Sequence, residues 1–136
     1  MKLPSDRRIL ECIFNRYKGE FESFDLEKTR SAKIYVPVDC KAVAATLRTN
    51  PDIVFGRLYY HLEKRYGYVQ ADGSKVHFFA LKVGGDAKCV NFPLLASVLA
   101  GLQEERTRHL VPQGIAIAAL IVSIASIGVS LWASRM

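Results

Sequence analysis

From Leu110 to Ser134 the chain has no Asp, Glu, Lys, Arg or His, and this missing charge is its strongest single signal. A solvated or half-buried helix carries polar side chains along one face, whereas this run has only small hydroxyls, Gln113 and Trp132 among its apolar residues. A bilayer core of ~30 Å takes about 20 apolar residues as helix. Gly114–Ser134 would reach roughly 31 Å. The stretch therefore predicts one membrane span, with Trp132 at a membrane–water boundary and Arg135 snorkelling into headgroups. An N-terminal signal core is lacking too: Met1–Arg8 leads into an amphipathic pattern. With its hydrophobic address at the end, the chain reads as a tail-anchored, single-pass membrane protein whose N-terminal domain stays in the cytoplasm.

Cysteine is scarce. Cys12, Cys40 and Cys89 lie far apart and are odd in number, which suits reduced thiols better than a disulfide framework. No cysteine pair has metal-ligand spacing, and His61, His77 and His109 have no partners at such spacing. There is no nucleophile elbow and no glycine-rich phosphate loop, since Gly84-Gly85 alone is a turn. The sequence thus predicts no enzyme, no cofactor and no metal. The charge is +6, from 19 basic against 13 acidic residues, without a block of like charge. Such an excess fits a surface near anionic lipid or nucleic acid and demonstrates neither.

Outside the tail, the patterns read as alternating helices and strands. Ser5 caps a helix that buries Ile9, Leu10, Ile13, Phe14 and Tyr17 and ends near Gly19. A charged connection, Glu20–Lys33, is long enough to hold a short extra turn. Ile34–Val38 is a short strand that Pro37 ends or places at an edge. Asp39 caps a helix over Cys40–Leu47, with Ala42, Val43 and Leu47 inward. Asn50, Pro51 and Asp52 open the next helix, which runs to about Arg65 with Val54 or Phe55, Leu58, Tyr59 and Leu62 as its apolar stripe. Two aromatic and β-branched runs, Tyr66–Ala71 and Lys75–Lys82, flank Asp72-Gly73-Ser74 and predict a hairpin. Lys88–Phe92 is a further short strand, and Pro93 opens a helix burying Leu95, Val98, Leu99 and Leu102.

The expected fold class is α+β, with a domain over residues 1–92, a connecting helix over 93–109 and the anchor over 110–136. The order helix, strand, helix, tight Leu47–Pro51 turn, helix, hairpin resembles the winged-helix domain, a helix-turn-helix variant, over roughly residues 5–83; another small α+β arrangement would use the same elements. The resemblance implies that the helix from Pro51 occupies the recognition position and that the Asp72-Gly73 hairpin is the wing. Arg57, Tyr60, His61, Lys64 and the wing's Lys75 would then form an interaction or DNA face, with Arg57 as the base-reading candidate. Asp52 and Glu63 weaken that face towards phosphate.

In the tail, Ala116, Ala119, Ser123, Ser126, Ser130 and Ala133 repeat at alternating steps of three and four and line one seam. Small residues let helix backbones approach closely in lipid, so the seam predicts self-association or pairing with a partner membrane protein. The functional expectation is an interaction module held at a membrane, as adaptor, subunit or regulator. The alternative is a membrane-tethered DNA-binding regulator.

Overall fold

The structure, a computed structural model, describes residues 1–108. The expected span and its seam, from Ala116 to Ala133, lie outside the described residues. No helix among the described residues is long and apolar enough to cross a membrane. The chain divides into one compact unit over residues 1–100 and a second over 101–136.

The first unit is mixed α+β. Helix α1, Asp6–Glu22, starts where the Ser5 side chain accepts the Arg8 N–H, and buries Ile9, Leu10, Ile13 and Tyr17. It runs past Gly19, where the sequence suggested its end. The reason lies downstream, in Arg30, which is buried and donates to the carbonyls of Glu20 (3.0 Å) and Phe21 (3.5 Å). Its remaining donors reach the carbonyls of Ala32 (3.1 Å) and Lys33 (2.7 Å). The guanidinium thus satisfies the orphan carbonyls of a helix C-terminus, where the dipole also favours a cation. A short 3₁₀ turn, Ser23–Asp25, sits inside the connection as expected.

Strand β1, Tyr35–Pro37, leads to α2, Cys40–Leu47, whose N-cap Asp39 accepts from Lys41 and Ala42 N–H. Ala44 faces the core here, and Ala42 is half-buried instead. Arg48 ends α2 in the left-handed region (φ 57°). Asn50 then caps the long helix α3, with Pro51 in its first turn. It opens as Pro51–Gly56, widens to π-helical bonding over Arg57–Leu62 and closes with Glu63–Tyr66. Val54, Leu58 and Leu62 are fully buried at strict four-residue spacing, a period the looser winding keeps on one face.

The strands after α3 differ from the expected hairpin. Lys75–Lys82 is not one strand: β2, Tyr68–Val69, pairs with β3, Lys75–Val76, and the chain then turns at His77–Phe78 into β4, Phe79–Val83. The turn lets consecutive Phe78 and Phe79 both be buried, which strict alternation would forbid. Gly73 at φ 88° does make the first hairpin's turn. Strand β5, Asp86–Asn91, pairs antiparallel with β4 across Gly84-Gly85 and with β1 on its other side, giving the order β1–β5–β4. The hairpin that extends β1 is therefore β4–β5, while β2–β3 forms a separate two-stranded sheet.

Residues 92–108 are helical, opened by Asn91, whose Oδ1 accepts the Leu94 N–H at 3.2 Å. Leu95 and Leu99 are buried. Phe92 stacks between Phe14 (5.4 Å) and Phe21 (4.8 Å) and fastens the start of this helix to α1.

All three cysteines are free, as expected. Cys89 is fully buried, and burial pushes its thiol up to about 11, with Asp86 adding to the rise and Arg30 opposing it. A thiol that titrates higher in the folded than in the unfolded chain contributes stability below the unfolded value of about 8.5. That contribution disappears as pH rises through about 11. Urea unfolding from pH 8 to 11 is expected to give a steeper loss of stability for the native chain than for Cys89→Ala; parallel slopes would remove Cys89 as a contributor.

Candidate functional site

The residues expected to share one face of α3 divide between two anchoring points. The first is Asp6, the first residue of α1. Its carboxylate takes the Arg57 guanidinium at 2.7 Å and meets His61 Nε2 at 3.2 Å, with Arg65 at 4.0 Å. Arg57 also donates to the Pro4 carbonyl at 3.1 Å. Positions 57, 61 and 65 are each four apart, so one stripe of α3 wraps a single carboxylate at the N-terminus of α1, where a negative charge also suits the helix dipole. Arg57, expected to be exposed, is half-buried and engaged.

The second anchoring point is Glu63, whose side chain is only 11% exposed. Its Oε2 accepts the Phe79 N–H at 2.6 Å, and its Oε1 meets His77 Nδ1 at 3.0 Å and Lys75 Nζ at 3.8 Å. One carboxylate thus joins the last turn of α3 to β3 and β4. Gly67 is required beside it, because a Cβ there would sit 2.7 Å from the Glu63 carbonyl. Lys75, expected on the wing, has its ammonium turned back towards Glu63 on α3. His77 is half-buried against Glu63.

Of the expected face, Tyr60 and Lys64 remain fully outward. Tyr60 is 71% exposed, and its ring meets Tyr59 edge-on at 5.0 Å; Tyr59 stacks on Phe55 at 5.5 Å. Phe55 in turn lies edge-on to buried Phe79 (5.9 Å) and under the Lys88 ammonium (5.4 Å). The aromatic row therefore runs from the core to solvent along α3. Exposed Tyr68 and Val69 belong to β2.

Beside this row lies an open cleft of about 480 Å³, bordered by Glu63, Lys75, His77 and Lys82, with Tyr35 and Tyr59 as aromatic walls. No local sequence pattern announces this cleft, because its lining comes from β1, α3, β3 and β4. Among the described residues, no group of three His, Cys, Asp or Glu side chains could hold a metal ion.

Compared with protein-family models, with curated proteins and with solved structures, the chain gives no significant match.

The Asp6–Arg57 pair is testable by a double-mutant cycle. Asp6→Ala and Arg57→Ala are each expected to cost about 1–2 kcal/mol in urea unfolding, with a coupling of about 1 kcal/mol between them. Strictly additive losses would mean the pair contributes nothing specific.

Proposed function

We propose that this chain is a small membrane-anchored protein that presents a winged-helix-like domain as a protein-interaction module, working as an adaptor, subunit or regulator. The observation that carries the choice of protein over DNA is the engagement of Arg57 by Asp6 and Pro4. The side chain best suited to read a base edge is spent inside the domain, while Tyr59 and Tyr60 stand outward. Tyrosine is favoured at protein interfaces because it offers a large amphipathic area at small entropic cost.

The winged-helix resemblance draws support from the element order helix, strand, helix, helix, hairpin. In this reading β4–β5 is the hairpin that matters, since it joins β1, and the turn at Asp72-Gly73 is an insertion before it. Membrane anchoring rests on the uncharged sequence from Leu110 to Ser134. Self-association rests on the small-residue seam from Ala116 to Ala133.

The second reading, a membrane-tethered DNA-binding regulator, is favoured by the position of α3 after the tight Leu47–Pro51 turn and by exposed Lys64 and Arg65. The full chain in nanodiscs, titrated with non-specific duplex at low and moderate salt, separates the two. The interaction-module reading expects no saturable binding even at low salt. Saturable binding with a steep salt dependence that falls in Lys64→Ala would establish the regulator instead. For the anchor, Ser123→Ile with Ser126→Ile is expected to lower self-association in a membrane reporter assay, and an unchanged signal would remove the seam.

A further inference from the structure

The geometry points to the cleft between α3 and β4 as a binding site for a small phosphomonoester that carries a planar ring, such as a nucleotide. This inference stands independently of the membrane and interaction readings. The cleft, about 480 Å³, falls in the size range of small-molecule sites and has two kinds of wall. Tyr35 and Tyr59 supply flat apolar surface, and Lys75, His77 and Lys82 supply cations or donors.

The charge arrangement selects an anion. Glu63 is the one carboxylate lining the cleft, and both its oxygens are engaged, Oε2 by the Phe79 N–H and Oε1 by His77 with Lys75 beyond. A carboxylate accepts and does not donate, so Nδ1 of His77 carries the hydrogen in this contact and Nε2 is left for a ligand. In its doubly protonated form the ring donates from Nε2 as well, and a phosphate oxygen can accept there. Lys82 is exposed and makes no ion pair among the described residues. Lys75 at 3.8 Å from Glu63 holds a loose pair, which a dianion can compete for. A phosphomonoester carries close to two negative charges and three acceptor oxygens at neutral pH, matching two ammonium groups and one ring nitrogen.

The source of the phosphomonoester is a matter for the titrants. The full chain, kept free of phospholipid, is titrated at low salt with adenosine 5′-monophosphate, inositol monophosphate, inorganic phosphate and phosphate-free adenosine. Saturable binding of adenosine 5′-monophosphate, tighter than inorganic phosphate, is expected. Lys82→Glu should weaken it about tenfold or more, equivalent to about 1.4 kcal/mol. His77→Gln should weaken it less than Lys82→Glu does. Lys18→Glu on α1, an exposed cation away from the cleft, controls for net charge and should leave affinity unchanged. Binding of inositol monophosphate in preference to the nucleotide would overturn the planar-ring part of the inference, because inositol's saturated ring is puckered, and would assign the phosphomonoester to a lipid headgroup. The inference is overturned if no phosphate-bearing titrant saturates, if adenosine binds as well as its monophosphate, or if Lys18→Glu and Lys82→Glu weaken binding equally.

Discussion

The Glu63 carboxylate is the contact on which the arrangement around α3 depends. It belongs to the helix, yet its hydrogen bonds go to the Phe79 backbone and to His77, one at the start of β4 and the other just after β3. A nearly buried carboxylate is costly unless donors surround it, and here a backbone N–H, an imidazole and a more distant ammonium do so. Because one side chain supplies all these acceptors, the helix, the small hairpin and the edge of the three-stranded sheet are set relative to one another by it. The cleft beside them follows from that setting. So does the turn at His77–Phe78, which frees the Phe79 N–H for the carboxylate and sends both phenylalanines into the core.

Asp6 does the equivalent work along the Arg57, His61 and Arg65 stripe of α3, and Arg30 does it for the loop after α1. In each case a charged residue is held by partners far away in sequence, and in each case its charge is withdrawn from the surface. Two bases, Arg30 and Arg57, and two acids, Asp6 and Glu63, are engaged internally, so the +6 excess is kept while two of its cations are no longer open to an anionic partner. What stays outward is a mixture: Tyr60 and Lys64 on α3, and Lys82 on β4. This mixture explains why a duplex-binding face is poorly supported while a small anionic ligand in a walled cleft is better suited to the charges that remain.

The local chemistry of the helices was legible because it is written within a few residues. Ser5, Asp39 and Asn50 cap as their side chains dictate, and the Val54, Leu58, Leu62 stripe faces the core. The end of α1 was misplaced because its cap, Arg30, lies well down the chain and no local pattern announces it. The long hairpin was misread for a related reason. Alternation and an Asp-Gly turn describe a strand pair in isolation, but β1 competes for β5 and Glu63 competes for the Phe79 N–H, so pairing after Val76 passes to β4 and β5.

The sequence by itself determined the α+β class, the helix starts, the turns at Gly73 and Gly84, the reduced cysteines and the uncharged tail that motivates the anchor proposal. These rest on short-range propensity, on backbone freedom and on composition, none of which needs a partner strand. Only the tertiary structure decided which hairpin extends β1, where the charges of Arg30, Arg57 and Glu63 go, and that Lys75, His77 and Lys82 border one cleft with two tyrosines. Those outcomes depend on which donors and acceptors meet across elements distant in sequence, and the strength of a charged contact is set by the burial that only packing creates.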